Sequence, residues 1–428
     1  MTARRRLGRQ FGWLWSAYAA STLGTWLAFN AFNLILIRVL RSGPAEVAAL
    51  SAVGTAVAAL LAVPLGPWIE VRRKLPVMMA MDLTRCAVLL TIPAAYAFGV
   101  LGFAQLLAVS VVVGACDIAF GAASGAYLKS IVAREDLLAA SGRFESTLWA
   151  SIVVGPPLGG LAVAVLGPVV TVVADAVSYL VSALGIRTIG GDEVKMRPKS
   201  AGISAQPRRG GERNVFEGWR FILGNAALRP LLANNVLVNA LIMATEPLLA
   251  VLMLGRLGFP AWQYGLAFAI PCVGGLIGSR LSGPLVARFG RRRVLMTAGT
   301  LRALPPLGLV WLGPGLSGLV LVMAVETVLI TSAAVFNPVL AAYRLEQIDA
   351  GRVARVLAAW SVSTKLGIAA GTAAWGVLAA VAGPRFGLGS AGVLLVAVSG
   401  LRPPGCWRRR SCGRRATSDS GGGRRPGC

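Results

Sequence analysis

Long apolar stretches recur along the whole 428-residue chain, and short segments that carry most of the charges separate them. A membrane-spanning helix needs about 20 mostly apolar residues, and about twelve stretches meet that requirement. They lie at residues 11–37, 46–68, 76–98, 103–127, 146–166, 168–186, 228–254, 262–286, 294–312, 316–340, 353–380 and 386–401. The composition agrees, because 56% of the residues are hydrophobic and 14% are charged, whereas soluble domains carry roughly a quarter of charged residues. The sequence therefore predicts an all-α integral membrane protein.

Basic residues are distributed unevenly among the segments between these stretches. Every second segment is rich in arginine and lysine, whereas the intervening segments together hold only Arg38, Arg41, Arg256 and Arg385. Segments rich in Lys and Arg stay in the cytoplasm, so this alternation predicts that both termini are cytoplasmic. Topology thus accounts for the formal net charge of +25. No nucleic-acid partner is expected, because no soluble domain is available to hold one.

A short charged segment at residues 66–74, the first turn, has a partial copy at residues 283–293, the second turn. The two copies share a register, because Arg85 follows Gly66 by nineteen residues and Arg302 follows Gly283 by the same distance. Such a repeat predicts two pseudo-symmetric halves of six helices each, related by an axis along the membrane normal.

The halves are predicted at residues 1–186 and 226–402. Residues 187–225 form the longest connection, a cytoplasmic loop that ends in a mixture of aromatic and charged residues. That end is typical of a helix lying along the membrane interface, and a plain linker is the alternative. The tail, residues 403–428, is basic and without periodicity, which favours disorder or a frame change in the source gene.

Residues that the chain lacks exclude several functional classes. The sequence contains no histidine, which removes the usual catalytic base and a common ligand of zinc and haem. Its six cysteines are scattered and form no CxxC pair. The nucleotide-binding pattern GxxxxGK[ST] is also missing. We therefore expect neither an enzyme nor a metal or cofactor site.

The first turn follows the pattern Gly-x-x-x-Asp/Glu-x-x-Arg-Arg/Lys after the second predicted span. Together with twelve spans and a central loop, it resembles the major facilitator superfamily. Further stretches resemble the bacterial efflux branch of that superfamily, of the enterobactin-exporter and macrolide-efflux type. They are Asp82–Arg85, Arg134–Leu137, Ala140–Arg143, Gly155–Gly160, Asp175–Tyr179, Glu217–Phe221 and Gly351–Arg355.

This resemblance implies a secondary active transporter of the bacterial cytoplasmic membrane. It would be an antiporter of the multidrug-resistance kind that alternates between inward- and outward-facing states, uses the proton gradient and needs no cofactor. Its partners would be the lipid bilayer and an amphipathic small molecule, such as a drug, an antibiotic, a siderophore or another metabolite. The chain is expected to act as a monomer. The alternatives are an importer or facilitator of the same fold, and a non-transporting membrane sensor or scaffold.

Seven residues at and near the first turn are predicted to form a gating latch at the cytoplasmic face. They are Gly66, Glu70, Arg72, Arg73, Lys74, Asp82 and Arg85. Asp82 and Arg85 share a helix face, and Glu70 would favour a helix N-terminus such as that of span eleven near Gly351. The alternative is that the basic residues only fix the topology.

The sequence departs from the family pattern in its acids. Ala287 and Gly299 stand in the second half where Glu70 and Asp82 stand in the first, and span one has Gly24-Thr25 where relatives often carry Gly-Asp. Glu70→Ala should therefore impair transport more than any single change at residues 287–293.

An acid within the bilayer must be paired, hydrated or protonated, because a charge at its centre costs at least ~2.5 kcal/mol. Asp117, Glu246 and Glu326 lie in predicted spans and are candidates for proton coupling. Lys365 would keep Glu326 ionised if the two were paired, and would attract an anionic substrate if it were unpaired. Lys365 and six other residues are candidates for lining a central cavity, although hydrogen bonds between helices would equally explain the asparagines. The six are Trp26, Asn30, Asn33, Asn235, Asn239 and Asn337.

Span five contains a segment rich in glycine and proline. Its members Gly155, Pro156, Gly159 and Gly160 are predicted to allow close helix approach or a bend. Antiporter relatives carry a similar feature in span five, so helix packing and a role in transport direction both stay open.

Overall fold

The computed structural model describes residues 7–28, 31–40, 44–189 and 215–400, and all regular structure in these ranges is helical. The predicted tail, most of the predicted central loop and Asn30 lie outside the described residues. The α-helices are α1 (Arg9–Leu27), α2 (Ala31–Leu34), α3 (Pro44–Ala62), α4 (Leu65–Val71), α5 (Lys74–Ala97), α6 (Phe103–Ile131), α7 (Leu137–Leu166), α8 (Pro168–Arg187), α9 (Glu217–Gly224), α10 (Leu228–Ala250), α11 (Ala261–Phe289), α12 (Arg291–Leu301), α13 (Gly315–Gln347), α14 (Val353–Ala382) and α15 (Pro384–Gly400).

Within the described ranges, nine helices are long and apolar enough to cross a membrane, and ten if the bent pair Ala52–Ala62 and Leu65–Val71 counts as one span. The two other predicted spans correspond to α1 with α2, which residues 29–30 separate, and to α15, whose apolar part is shorter. A helix satisfies its own backbone hydrogen bonds and is therefore suited to hydrocarbon. The prediction of an all-α membrane fold is confirmed.

Helices pack both within and between the two predicted halves, and α7–α11 and α6–α14 are the main contacts between them. In the first half, α1 packs on α7 and α8, and α5 packs on α6 and α8; in the second, α10 packs on α14 and α15, and α11 packs on α13. Both halves join their last two long helices through a Gly-Pro pair, in which Gly167 and Gly383 have φ of 86° and 89°. This left-handed conformation strongly favours glycine, so the same turn chemistry occurs in each half.

Several helix boundaries differ from the predictions. The first turn is mostly helical, because Gly66 to Val71 lie in α4 and only two residues separate α4 from α5. The predicted ninth span is broken after α12, where Pro305 begins a 3-10 segment, since proline cannot donate the next helical hydrogen bond. Helix α7 begins at Leu137 rather than at residue 146, and α13 continues to Gln347 rather than ending at 340.

The predicted interfacial segment contains helix α9, which packs against the first turns of α14. Trp219 donates from Nε1 to Ser363 Oγ at 2.9 Å. The Glu217 carboxylate forms ion pairs with Arg352 and Arg355 of the connection and helix that follow α13. This short helix is therefore anchored to the start of α14 by its aromatic and charged side chains, and Trp219 also packs against Ala59, Ala62 and Ile118 of the first half.

Candidate functional site

A cavity of about 540 Å³ lies between the two halves. Helices α1, α6 and α7 line it from the first half, and α10, α13 and α14 line it from the second. Its aromatic lining comes from Tyr18, Phe120, Phe144 and Trp360. Because both halves contribute walls, any movement of one half against the other would change the shape of this central cavity.

Four of the predicted polar residues line the central cavity, namely Asp117, Asn235, Asn239 and Asn337. Asn239 donates from Nδ2 to the backbone oxygen of Asn235 at 2.7 Å, and Asn235 donates from Nδ2 to Thr364 Oγ1 at 3.1 Å. The second bond joins α10 to α14. The asparagines of α10 thus line the cavity and also connect helices, so the two predicted alternatives are compatible.

Glu145 in α7 also lines the cavity, and sequence reasoning missed it. Its Oε1 accepts hydrogen bonds from Asn337 Nδ2 at 3.0 Å and from Trp149 Nε1 at 3.1 Å. Because Asn337 belongs to α13, this carboxylate links the two halves. The miss followed from the late predicted start of span five, although Glu135 and Asp136 before the helix are a helix-start signal.

Arg344 is a second cavity residue that sequence reasoning missed. Its guanidinium carbon lies 4.8 Å from the centroid of the Trp360 ring. Its buried Nε has no hydrogen-bond partner among the described residues. A buried donor without a partner is costly, so this group is suited to a ligand that offers an acceptor.

Four charged side chains form a continuous chain from the first half to the second. Asp82 is fully buried and accepts hydrogen bonds from Arg85 Nη2 at 2.5 Å and from Ser182 Oγ at 2.6 Å. Arg85 Nη1 lies 4.0 Å from Asp117 Oδ1, and Asp117 Oδ2 lies 3.0 Å from Lys365 Nζ. Lys365 thus pairs with Asp117, a partner that the sequence analysis did not consider. Asp82 and Arg85 lie in α5, where they connect to this pair, and their role in the gating latch stays a prediction.

Glu246 of α10 and Glu326 of α13 lie outside the lining of the central cavity. Glu326 is 8% exposed, whereas Glu246 is exposed, and the two acids lie within range of each other's charge. Among the described residues, no cation and no hydrogen-bond donor contacts either acid. The second half thus contains a carboxyl pair without a neutralising partner.

Glu70 contacts the other half at the first turn. Its Oε2 accepts a hydrogen bond from the backbone N–H of Arg355 at 3.1 Å. Arg355 lies in the first helical turn of α14, so the carboxylate caps a helix N-terminus as the sequence suggested. A Cβ atom at Gly66 would lie 3.1 Å from Ala358 Cβ. Glycine at this position therefore lets α4 approach α14 closely.

The basic residues of the first turn lie mainly against their own half. Lys74 donates from Nζ to the backbone oxygens of Ile69, Glu70 and Arg72 at 2.9, 2.7 and 2.8 Å. These bonds satisfy carbonyl groups that the end of α4 leaves open. Arg72 and Arg73 are exposed, and the Arg72 guanidinium lies 5.7 Å from the Trp68 ring centroid.

Further contacts join the halves at the end of the molecule that carries both turns, here named the turn end. Glu346 at the end of α13 lies 2.7 Å from Arg291 Nη2 and 3.4 Å from Arg134 Nε. Lys129 of α6 donates from Nζ to the backbone oxygens of Leu345, at 2.6 Å, and Ile348. The second turn therefore obtains an acid from α13 in place of the one missing at Ala287, and Arg291 forms an ion pair with it.

The halves are joined at the turn end and separate toward the opposite end. The largest apolar cluster of described residues lies at the turn end and combines both halves, from Ile69 and Leu128 to Val339 and Leu357. The main clusters toward the opposite end each belong to one half. Consistent with this, the buried residues of α14 all lie between Val353 and Val362.

The predicted residues Gly155, Gly159 and Trp26 form a close contact between α7 and α1. A Cβ atom at Gly155 would lie 2.7 Å from Trp26 Cβ, and one at Gly159 would collide with the carbonyl oxygen of Leu27. These two glycines, on either side of Pro156, let α7 approach α1, whereas Gly160 faces open space. Trp26 packs at this contact and does not line the central cavity, which corrects the prediction. Asn30 and the side chain of Asn33 lie outside the described part of the structure.

Comparison with known protein families assigns this chain to a family. The family match identifies the class of protein as a membrane transporter rather than an enzyme. The Major Facilitator Superfamily matches residues 14–334 and 263–410, and the chain belongs to this superfamily. Among curated proteins, none matches the sequence.

Solved transporter structures share the fold at low sequence identity. A bacterial homologue of the iron transporter ferroportin, crystallised in an outward-facing state, is 15% identical with a TM-score of 0.74, over 92% of this chain and 98% of that one. The human organic anion transporter MFSD10 (TETRAN) is 15% identical with a TM-score of 0.73, over 92% of this chain and 99% of that one. Each of these likenesses concerns the fold.

Proposed function

We propose that the chain is a proton-coupled antiporter that exports an amphipathic small molecule across the bacterial cytoplasmic membrane by alternating access. The observation that carries this proposal is the central cavity, which both halves line and which contacts between the halves close at the turn end. Such a cavity can be exposed to either side when the halves rock against each other. The stretches that resemble the bacterial efflux branch favour export over import.

The arginine and lysine distribution supports a cytoplasmic position for the turn end. In that orientation the structure represents an outward-facing state, with Glu70, Lys129 and Glu346 holding the cytoplasmic side closed. Both termini then lie in the cytoplasm. One chain supplies all six helices of the cavity, which favours a monomer as the working unit.

The lining favours an amphipathic substrate. Aromatic rings such as Phe144 and Trp360 offer apolar contact area. The Arg344 guanidinium and the Asn239 amide offer polar groups to an acceptor on the same molecule. A drug, an antibiotic or a siderophore combines both kinds of surface.

The carboxyl pair Glu246–Glu326 is our candidate for the proton site, with the proton gradient as the energy source and no cofactor. An acid that couples transport to protons has to change its charge during the cycle. Asp117 lies beside Lys365 and Arg85, and a cation at contact distance favours the ionised form throughout. Neither glutamate has such a partner among the described residues.

Everted membrane vesicles test the proposal directly, because export becomes uptake into the vesicle. We expect uptake of at least one probe among ethidium, radiolabelled erythromycin and fluorescein when the vesicle interior is acidic, compared with vesicles that lack the protein. Acridine-orange fluorescence should show protons leaving as the probe enters. Nigericin, which collapses the pH gradient, should abolish probe accumulation.

Each alternative gives a different result. Uptake that continues at full rate after nigericin would contradict proton coupling and favour a facilitator. Accumulation only in right-side-out vesicles would identify an importer. A sensor or scaffold would transport no probe, and no probe would protect a cysteine placed in the central cavity from alkylation.

A further inference from the structure

A second and larger cavity, of about 1030 Å³, lies on the opposite side of α7 from the central cavity. Arg143, Thr147, Ala150 and Val154 line it, and their spacing of three and four residues places them on one helix stripe. Glu145, which faces the central cavity, lies on the other face of α7. Val154 is 44% exposed. Since this stripe faces away from the protein interior, the cavity is a groove toward the lipid.

The groove follows the seam between the halves. Its walls come from α1 and α7 of the first half and from α11 of the second. Ser146 and Ser279 are hydrogen-bonded at 2.8 Å beneath it. Leu23, Leu138 and Leu276 make most of the lining apolar.

Two exposed arginines, Arg143 and Arg280, line this apolar groove. At a rise of 1.5 Å per residue, they lie about 9 Å and about 14 Å from the turn-end termini of α7 and α11. The Arg143 guanidinium lies 5.6 Å from the Phe11 ring centroid. Within the described ranges, neither guanidinium has an ion pair or a hydrogen bond to protein. Two positive charges in a lipid-facing groove are unfavourable without an anion.

We propose that this groove binds one anionic membrane phospholipid, with its phosphate at Arg143 and Arg280 and an acyl chain along the apolar wall. Arginine matches phosphate oxygens with two parallel hydrogen bonds, and a phosphate so held neutralises the charge. The apolar walls favour a lipid over a soluble anion. The acyl chain of a lipid would fill the apolar part of the groove, whereas a free phosphate would leave it empty. Two arginines favour an anionic lipid over a zwitterionic one, whose own cation opposes them.

This site has a consequence for the conformational cycle. Arg143 and Arg280 belong to different halves, so one phosphate would connect them on the side of the molecule where α7 meets α11. A ligand that contacts both halves in one state shifts the equilibrium toward that state. The bound lipid should therefore stabilise the state in which the turn end is closed.

Native mass spectrometry of the delipidated full-length protein tests the proposal. Phosphatidylglycerol and phosphatidylcholine are titrated separately into the wild type, into the double variant Arg143→Gln/Arg280→Gln, and into a matched control. The control is Arg187→Gln/Arg220→Gln, which removes two exposed arginines that line neither this groove nor the central cavity. We expect the first phosphatidylglycerol to bind the double variant at least about tenfold more weakly and the control within about twofold of the wild type.

The conservative variant Arg143→Lys/Arg280→Lys should retain most of the binding, which separates lost charge from lost folding. Equal affinity of the wild type and the Gln double variant would overturn the proposal, as would equal binding of the two lipids. Displacement of phosphatidylglycerol by millimolar inorganic phosphate would overturn the lipid assignment in favour of a soluble anion. An arm without variants uses phosphatidylglycerol with a photoreactive acyl chain, which should label peptides of α1, α7 and α11; labelling confined to other helices would contradict the site.

Discussion

Three acids of the first half, Glu70, Asp117 and Glu145, each contact a group of the second half. Their partners are the backbone N–H of Arg355, the Lys365 ammonium and the Asn337 amide, in that order. The two membrane-interior acids of the second half, Glu246 and Glu326, contact no such group among the described residues and lie near each other. A carboxylate held across an interface depends on the position of the halves, whereas one without a partner can exchange a proton. We infer that the first half supplies conformational contacts and the second supplies the proton site.

Replacing Glu326 with glutamine should have the largest effect, because glutamine keeps the shape of the side chain but cannot exchange a proton. Uptake driven by the pH gradient in everted vesicles should fall roughly tenfold or more, the change that corresponds to about 1.4 kcal/mol of coupling. Glu135→Gln is the matched control, since Glu135 is an exposed glutamate between α6 and α7. Normal gradient-driven uptake in both Glu326→Gln and Glu246→Gln would show that the proton site lies elsewhere.

The second-largest effect is expected from changes to the Asp117–Lys365 ion pair, which test whether these charges stabilise the contact between the halves. Asp117→Asn leaves Lys365 and Arg85 near each other without their shared acid, and Lys365→Met leaves Asp117 with Arg85 alone. The pair is partly exposed, at 58% and 31% for the two side chains, so each single change should lower stability by about 1 kcal/mol or less. Thermal unfolding in detergent should show the double variant less destabilised than the sum of the single changes. Simple additivity would mean that the pair has no energetic coupling.

The sequence predicted features that depend on nearby residues better than contacts between residues far apart in the chain. Apolar run length predicted the spans, because that signal is local, whereas the two halves inferred from the register of the turns stay a prediction. The approach of Glu70 to the start of α14 followed from helix electrostatics. The Asp117–Lys365 pair joins residues 248 positions apart, and the sequence-based hypothesis named only Glu326 as a possible partner of Lys365. Glu145 was missed because the polar residues Ser141 to Arg143 resembled a connection, although α7 continues through them.

Glu145→Gln should have a smaller effect on the conformational equilibrium. Hydrogen bonds to a charged acceptor are stronger than those to a neutral one by about 1 kcal/mol, so weaker bonds from Asn337 and Trp149 should open the turn end roughly fivefold more often. The readout is alkylation of Gly121→Cys, a cavity position with open space beside it, in a background whose native cysteines are serine. A membrane-impermeant maleimide applied to everted vesicles should react faster in the Glu145→Gln variant. An unchanged rate would remove Glu145 from the set of conformational contacts.

The smallest effect is expected at the two turns. Glu70→Ala removes a helix cap, a loss of about 1 kcal/mol, and should raise the same alkylation rate by a few-fold. The ion pair with Glu346 revises the sequence-based expectation for one residue, because Arg291→Ala should now have an effect similar to that of Glu70→Ala. Ala287→Ser and Arg292→Ala should have little effect. Equal opening of the turn end by Arg292→Ala and Glu70→Ala would contradict this account. Residues that form contacts at the turn end could then not be distinguished from exposed arginines that only fix the membrane orientation.

The division between the halves can be tested most directly by comparing accumulation with exchange in the same vesicles. Counterflow of a labelled probe against unlabelled probe needs the conformational cycle but no proton gradient. Our account predicts that Glu246→Gln and Glu326→Gln keep counterflow while losing gradient-driven accumulation, and that Asp117→Asn lowers both together. The account would be contradicted if the two glutamate variants accumulated the probe normally while Asp117→Asn lost accumulation and kept counterflow.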